Sequence, residues 1–537
     1  MAESHHKSQF ILEEPSEQDI VIGIVAPIGA DVERVRECMK KELADFGYET
    51  KFIRLSNLLE ASKMTGASSS ERLMDAGDRL REAVRDGSAV AAVAIREIRH
   101  IRRGKKRDRV DPNTSSGSSK LSDSKGCKNL RENTEKPRFA WILHTLKHPS
   151  EVDLLRHVYG SRFTLIGVND KEEHRAVVLE SKLRRHDPNL SDFGPHVTAL
   201  LERDQKSPNK YGQNVRDTNS LADFYIEVGH RLIAEVKRTI GLLFGKPFET
   251  PTRDEQNMFY AYAASLRSSD SGRQVGAVIA RENGDVIAIG VNEVPKAGGG
   301  QYWNGDSPDA RDFQLGRDNN RATNHDLLRE VVQQVIENLR MSSDGCGAGH
   351  CGCRALSLDD VDSLIENGPL SKTRAASLIE FGRVTHAEMS AITDCARNGV
   401  SSTGATMYVT AFPCHMCMRL IIASGITRIV YVDPYPKSLA PEMYKDSLGF
   451  GKDESGVVKV QPFVGASRRI FSRVFELDES TRFREPNGVF AWIPKSELKF
   501  RSAPHHGSRQ TFKREKQVKR RVDELLKNDS EISNLIK

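Results

Sequence analysis

Two short motifs, His386-Ala-Glu388 and Pro413-Cys-His-Met-Cys417, are separated by 24 residues and must meet in space if they act together. The hydrophobic pattern around them predicts a helix that begins at His386, a strand at 405–410, a helix at 414–424 and a strand at 428–433. Each motif therefore lies at the N-terminus of a predicted helix.

His386, Cys414 and Cys417 are candidate zinc ligands. An imidazole nitrogen and two thiolates supply three positions of a tetrahedral zinc site and leave the fourth for water. The two cysteines are three residues apart, so they share one face of the first helical turn. The helix-end dipoles favour anions at this point, including thiolates. Zinc would lower the pKa of its bound water to about 7.

Glu388 is a candidate proton shuttle, because an unligated carboxylate beside the metal can move a proton from water to a substrate ring nitrogen and leaving amine. The pattern H-x-E…P-C-x-x-C is typical of zinc-dependent base deaminases, in which hydroxide attacks C4 of cytosine. A structural zinc knuckle and a redox-active CxxC pair are the alternatives.

Strand-like runs alternate with helical patterns over roughly the first 245 residues. The first strand, Asp19-Ile-Val-Ile-Gly-Ile-Val25, leads through a turn into an amphipathic stretch that begins at Asp31. Further strands are predicted at 90–95, 139–143, 163–168 and 224–228. Such alternation favours an α/β fold with a doubly wound parallel sheet.

The pattern changes near 245–251, where two prolines interrupt it. Two apolar runs, 275–280 and 286–292, then flank Asn283-Gly284, which suits a tight β-hairpin turn. Near the end of the chain, a charged stretch at 512–527 is a helix candidate. Its apolar side chains, Val518, Val522, Leu525 and Leu526, favour packing on the same protein or a sister subunit over membrane binding.

At 537 residues the chain is too long for one ordinary core. It has no run of about 18 apolar residues, so we expect no membrane span. Its eight cysteines are too few for a disulfide scaffold and indicate a reducing, cytoplasmic setting. The formal net charge is only +6, which argues against a globally basic nucleic-acid coat.

Residues from about Thr252 to Ser438 resemble the deoxycytidylate deaminase family. The whole chain resembles the bacterial anti-phage dCTP deaminases. The resemblance rests on Gln274-Val-Gly-Ala-Val-Ile279, Gly290-Val-Asn-Glu-Val-Pro295, the two motifs above, Ala423-Ser-Gly-Ile-Thr-Arg-Ile-Val-Tyr431 and Asp433-Pro-Tyr-Pro-Lys-Ser438.

The resemblance implies zinc on the three ligands, Glu388 as proton shuttle and free deoxycytidine nucleotides (dCTP, dCMP or both) as substrates. It implies that Asn292 contacts the nucleotide sugar and that the Ala387 N–H faces the pyrimidine carbonyl. Tyr435 could line the base pocket. The alternatives are purely structural roles, in which Asn292 only ends a strand and Tyr435 is part of a turn. Depletion of the dCTP pool during infection, and restraint by a small RNA, are also implied, and we expect a homo-oligomer.

The segment Gly23-Ile-Val-Ala-Pro-Ile-Gly29-Ala30-Asp31 lies where a P-loop belongs, and backbone amides of such a loop can cradle phosphate. The usual lysine is missing, since Ala30 and Asp31 follow the last glycine. Stretches at 146–152 and 212–217 also resemble P-loop nucleotide kinases. We therefore predict a kinase-like domain that binds a nucleotide without efficient phosphoryl transfer; a scaffold without a ligand is the alternative.

The predicted order of domains is an N-terminal tail (1–18), a P-loop kinase-like α/β domain (19–248) and a cytidine-deaminase-like α/β/α sandwich (252–485), followed by a basic tail (486–537). The first domain carries a disordered basic and Ser-rich insertion near 100–136.

Two weaker signals leave their function open. The cluster Cys346, His350, Cys351 and Cys353 could bind a second metal, although adjacent ligands strain tetrahedral chelation. The run at 96–109 has eight basic and two acidic residues and could bind RNA phosphates, but most such runs are solvated surface.

Two other classes of function compete with a free-nucleotide deaminase. One is a deaminase that edits cytosine within RNA or single-stranded DNA, which would need an open groove. The other is a nucleotide-sensing regulatory protein with a vestigial site, against which the complete ligand set and Glu388 argue.

Overall fold

The computed structural model describes residues 19–62, 64, 68–107, 138–187, 192–343, 358–373, 375–435, 438–451, 455–477, 495, 498, 500–501 and 508–537. Three predicted features lie outside these ranges: the tail at 1–18, the Ser-rich stretch at 111–136, and the second metal cluster of Cys346, His350, Cys351 and Cys353.

The strands are β1 (Ile20–Val25), β2 (Tyr48–Arg54), β3 (Arg138–His144), β4 (Phe163–Asn169), β5 (Phe224–Glu227), β6 (Gly276–Ala280), β7 (Val286–Val291), β8 (Thr406–Ala411), β9 (Arg428–Asp433), β10 (Leu448–Phe450), β11 (Val458–Pro462) and β12 (Gly465–Ala466).

The helices are α1 (Val32–Asp45), α2 (Ser69–Val84), α3 (Ala89–Arg107), α4 (Pro149–Tyr159), α5 (Glu172–His186), α6 (Phe193–Gln205), α7 (Val215–Asn219), α8 (Leu232–Leu243), α9 (Arg253–Ser265), α10 (Asp312–Leu315), α11 (Asn319–Ser343), α12 (Leu358–Glu366), α13 (Ala387–Arg397), α14 (His415–Ala423), α15 (Ala440–Met443), α16 (Phe471–Phe475), α17 (Ser508–Asn528) and α18 (Ser530–Leu535). Within the described ranges, no helix is both long and apolar enough to span a bilayer.

The chain forms two compact units, one of Met1–Glu255 with Pro462–Lys537 and one of Gln256–Gln461. The sequence pattern extended the second domain to residue 485, whereas the structure returns the chain to the first unit at Pro462. The reason is strand pairing, since β12 adds to the edge of the first unit's sheet, antiparallel to β5.

The sheet of the first unit has the order β12-β5-β4-β1-β3-β2. Strands β1 to β5 are parallel in every pairing, and only the short β12 is antiparallel. All six residues of β1 are buried, which explains its continuous apolar run. The prediction of an α/β fold is confirmed.

Two local predictions in the first unit were wrong. The run at 90–95 was predicted as a strand but lies in α3, where an alanine-rich segment continues as a helix through Arg107. The start of the insertion predicted as disordered is therefore helical. Strand β2 was not predicted, because this edge strand mixes charged and apolar residues.

The sheet of the second unit has the order β10-β11-β9-β8-β6-β7. Strands β6 and β7 form the predicted antiparallel hairpin, and Gly284 in its turn has a φ of 99°. Strand β8 pairs antiparallel with β6 and parallel with β9. The β8–α14–β9 unit places the second motif directly after a buried strand.

Candidate active site

The two motifs lie at helix starts, as the pattern predicts. His386 is the N-cap of α13, and Cys414 is the N-cap of α14. The Cys414 sulfur accepts a hydrogen bond from the Cys417 N–H at 3.5 Å, which fixes the first turn of α14. Both helices thus direct their positive N-terminal ends towards one cluster of side chains.

The structure brings the side chains of His386, Cys414 and Cys417 together, with their ligand atoms all within 4.8 Å of one another. The His386 Nδ1 atom lies 3.2 Å from the Cys417 sulfur and 3.4 Å from the Cys414 sulfur. A tetrahedral zinc with ordinary Zn–S and Zn–N bond lengths requires about 3.6 Å between these atoms. The donor set and its spacing therefore fit zinc.

The cluster favours the thiolate form, which zinc binds, at Cys414 but not at Cys417. A hydrogen bond from Cys417 lowers the pKa of the Cys414 thiol to about 4. The neighbouring Cys414 sulfur in turn raises the pKa of His386 to about 9. Bonding to Cys414, together with burial, raises the pKa of Cys417. Zinc would replace the shared protons of this cluster.

Glu388 lies beside the cluster but is not one of its members. Among the described residues, the cluster contains only the histidine and two cysteines, which leaves one tetrahedral position for water. The Glu388 side chain is 4% exposed, and burial raises the pKa of its carboxyl group to about 7. At neutral pH such a carboxyl group can both accept and donate a proton.

Gly290 in β7 sets how closely α13 approaches the sheet. A Cβ atom at this position would lie 2.0 Å from the Ala387 carbonyl oxygen and 2.5 Å from the Ala391 nitrogen. Only glycine allows this contact. Gly290 therefore sets the distance between β7 and α13, the helix whose first turn carries Glu388.

We expect Gly290→Ala to destabilise the protein by about 1–3 kcal/mol, because α13 must move away from β7. Any catalytic activity of the candidate site should fall with it, since the displaced turn carries the site. Chemical denaturation and activity assays measure both effects. Gly382→Ala is a matched control, because its new Cβ would meet no atom closer than 3.7 Å. A Gly290→Ala protein as stable and active as this control would contradict the packing argument.

Ala387 directly follows His386, whereas Asn292 directly follows β7, and the two have different surroundings. Ala387 is fully buried and is the first residue of α13, so its N–H has no acceptor within the helix. The Asn292 side chain accepts a hydrogen bond from the Val275 N–H at 2.7 Å and donates one to the Arg273 carbonyl at 2.6 Å. Asn292 therefore braces the segment before β6, and its contact with a sugar stays a prediction.

Tyr435 is half-buried against the core of the second unit. Burial raises the pKa of its hydroxyl, and the neighbouring Cys414 adds to this rise. Glu380 also acts on Tyr435 and lies 3.9 Å from His415, the residue after Cys414. Sequence reasoning missed Glu380, because the loosely patterned segment at 298–383 gives no signal that it returns to the site.

Glu293 is a second residue that sequence reasoning missed. Its carboxylate is 1% exposed and accepts hydrogen bonds from the Ser269 N–H at 3.0 Å and hydroxyl at 2.7 Å. Its backbone pairs in both directions with Thr385, the residue before His386. Glu293 thus anchors the chain on the approach to the first ligand. The only sequence signal was a charged residue directly after a buried strand.

The glycines of the P-loop-like segment in the first unit have packing roles. A Cβ atom on Gly23 would lie 2.7 Å from Leu146 and 2.9 Å from Phe163. Gly29 has a φ of +86°, and its Cβ would lie 2.6 Å from the Arg175 carbonyl oxygen. Both positions thus require glycine without any ligand.

Carboxylates of the first unit accept hydrogen bonds from backbone N–H groups of this segment. Asp204, which is fully buried, accepts from the Ile28 N–H at 2.6 Å and from the Lys147 ammonium group at 2.7 Å. The same ammonium group donates to the Ala26 carbonyl at 3.0 Å. A lysine from the loop after β3 therefore reaches the segment, but its charge is neutralised internally.

Ala30 and Asp31 complete the segment. The Ala30 N–H bonds to the Pro27 carbonyl at 3.2 Å, and the Asp31 side chain caps α1 through the Arg34 N–H. The Asp31 N–H donates to Asp170 at 3.3 Å. Nucleotide binding by Gly23, Gly29, Ala30 and Asp31 stays a prediction, and these contacts weigh against it.

Two arginines of the basic run at 96–109 pair within the first unit. Arg96 bonds to Asp523 at 2.9 Å, and Arg102 bonds to Glu515 at 2.7 Å. Both acidic residues belong to α17, so the predicted tail helix packs on its own chain. These pairs account for Arg96 and Arg102 without RNA.

Comparisons with known proteins fit this geometry. The family model "Cytidine and deoxycytidylate deaminase zinc-binding region" matches residues 251–433. The deoxycytidylate deaminase of Enterobacteria phage T4 is 53% identical over 180 residues, which cover 33% of this chain and 76% of that protein. That of Enterobacteria phage T2 is 32% identical over 178 residues, covering 33% and 78%.

Among solved structures, the dCMP deaminase of cyanophage S-TIM5 in complex with dCMP and dUMP covers 40% of this chain and 99% of its own. Its sequence identity is 19% and its TM-score is 0.21, so we draw nothing further from this likeness.

Proposed function

Because the chain belongs to the deoxycytidylate deaminase family, we propose that it hydrolyses the 4-amino group of free deoxycytidine nucleotides. Water and the deoxycytidine nucleotide are consumed, and ammonia and the deoxyuridine nucleotide are formed. One observation carries the proposal: a histidine and two cysteines converge with spacing for zinc, while the buried carboxyl group of Glu388 lies beside them without joining the cluster.

His386, Cys414 and Cys417 would hold the zinc, which would supply an activated water as nucleophile. Glu388 would take a proton from the attacking water as its oxygen bonds to C4, and would deliver that proton to the pyrimidine N3 atom. It would then pass the second proton of the water to the amine, and the C4–N bond would break to release ammonia. A carboxyl group with a pKa near neutrality suits both transfers, because neither protonation state is strongly disfavoured.

Three residues are proposed to orient the nucleotide. The free N–H of Ala387 would donate to the pyrimidine carbonyl, and Tyr435 would line the base pocket next to Cys414. Asn292 would reach the sugar with the hydrogen-bonding capacity that its two backbone contacts leave, since a primary amide has four such positions.

The finer features rest on the resemblance to bacterial anti-phage dCTP deaminases. They are action on dCTP as well as dCMP, depletion of the dCTP pool as antiviral defence, restraint by a small RNA, a homo-oligomeric state and a cytoplasmic location. A P-loop kinase-like first unit that binds a nucleotide belongs with them, although Asp204 opposes phosphate at the loop.

Ammonia release from dCMP, dCTP and cytosine-containing single-stranded DNA and RNA tests the proposal. We expect release from at least one free nucleotide and none from the polymers. The ratio of kcat/KM for dCTP and dCMP then assigns the substrate. Release from a polymer alone would establish the editing alternative, and no release from any substrate by the zinc-loaded protein would leave the regulatory alternative.

A further inference from the structure

Three arginines of the first unit lie around one buried aspartate. Asp223, directly before β5, is 8% exposed and accepts hydrogen bonds from Arg156 at 3.0 Å and from the Leu165 N–H at 2.7 Å. Arg469 and Arg473, between β12 and the end of α16, also act electrostatically on Asp223. Arg468 precedes Arg469 in the chain and acts on it electrostatically.

Asp223 neutralises this group only in part. One carboxylate faces three guanidinium groups, and burial raises its pKa in spite of the arginines. Repulsion from Arg156 and Arg468 adds to burial in lowering the pKa of Arg469. The cluster therefore has excess positive charge at a place that is partly removed from water.

Among the described residues, two of these arginines have donors without acceptors. The Nε and Nη2 atoms of Arg473 are buried and have no hydrogen-bond partner within the described part of the chain. Burial lowers the pKa of Arg473. In the same described ranges, no hydrogen bond or ion pair forms at the Arg469 guanidinium group, whereas Arg156 is bonded to both Asp223 and the Leu221 carbonyl. Buried donors of a charged group normally have partners, so their absence points to an acceptor other than the described residues.

The cluster is separate from the P-loop-like segment. Ile166 of β4 pairs with both Ile24 of β1 and Phe224 of β5. Asp223 is therefore level with Gly23 and two strands away from it. Gly23 in turn is three residues before Ala26, where the loop after β1 begins. Internal carboxylates bond to that loop, whereas at the cluster the arginines exceed the carboxylates.

We propose that Arg156, Arg469 and Arg473 form a binding site for a phosphate group, either as free phosphate or as part of a nucleotide. Guanidinium groups bind tetrahedral oxyanions through paired N–H donors, and an anion with two negative charges would offset the excess charge of the cluster. This site would give the first unit a ligand independent of the deaminase centre.

Isothermal titration of the full-length protein with inorganic phosphate, at constant ionic strength, tests the proposal. We expect saturable binding that Arg469→Ala weakens at least about tenfold, since a charge-assisted hydrogen bond is lost. Arg469 is exposed, so this variant should fold normally. A parallel titration with ATP distinguishes a site for the free anion from one for a nucleotide phosphate.

Arg473→Met provides an independent readout. If the buried donors of Arg473 lack partners, this variant should lose phosphate binding without losing thermal stability in phosphate-free buffer. Arg81→Met is the matched control, because Arg81 is buried but bonded to Glu151 and Asp78. It should destabilise the protein and keep phosphate binding. No binding at about 10 mM phosphate, or binding unchanged in both Arg469→Ala and Arg473→Met, would overturn the proposal.

Discussion

We expect Glu388→Gln to lower kcat for deoxycytidine nucleotides by about 10²–10⁴-fold or more, while the protein keeps its zinc. Glutamine has nearly the shape of the glutamate side chain but cannot transfer protons. Because Glu388 is outside the ligand cluster, metal binding should not depend on it. Burial already disfavours its charged form, so the neutral amide should not destabilise the fold.

Steady-state kinetics and metal analysis on the same preparation test this prediction. Asp394→Asn is the matched control, since it also converts a carboxylate of α13 to an amide, but Asp394 pairs with Arg397 near the other end of the helix. The control should retain both zinc and activity. Loss of zinc from Glu388→Gln would make Glu388 a ligand, and unchanged kcat would remove it from proton transfer.

The metal ligands could be predicted because their arrangement is mostly local. Cys414 and Cys417 share one helical turn. The hydrophobic pattern alone predicts the β8–α14–β9 unit that places this turn at the carboxyl end of β8. Only α13 and β8 separate His386 from Cys414, so the convergence of these ligands depends on a short segment of the chain. The backbone contacts of Asn292 could not be predicted from the sequence, because the same amide could equally face a sugar; the structure shows that it braces the backbone.

The supports of the site could not be predicted, because they depend on contacts between distant parts of the chain. Glu380 comes from a segment without clear periodicity, and Glu293 matters through its pairing with Thr385, some 90 residues later. In the first unit, Asp204 reaches Ile28 across 176 residues. The glycine pattern at 23–29 resembles a P-loop, yet close packing alone accounts for both glycines.

Cys417→Ala should abolish zinc binding and deamination together. Cys417 is fully buried, and its sulfur is one of the three ligand atoms. Two remaining ligands cannot hold zinc in a site that already leaves one position to water, so bound zinc should fall from about one ion per chain to nearly none. Thermal stability should fall as well, because metal binding contributes directly to folding free energy. Metal analysis, ammonia release and thermal denaturation of one preparation measure the three effects.

Cys395→Ala separates loss of the metal from loss of a buried thiol. Cys395 lies on α13 and is 2% exposed, but it is outside the ligand cluster. It should keep zinc and activity and lose only about 1 kcal/mol of stability from the small cavity. A zinc-specific chelator should inactivate wild type and Cys395→Ala alike, and added zinc should restore both. If Cys417→Ala kept stoichiometric zinc, another residue would have to complete the site, and the assignment of the open position to water would be wrong.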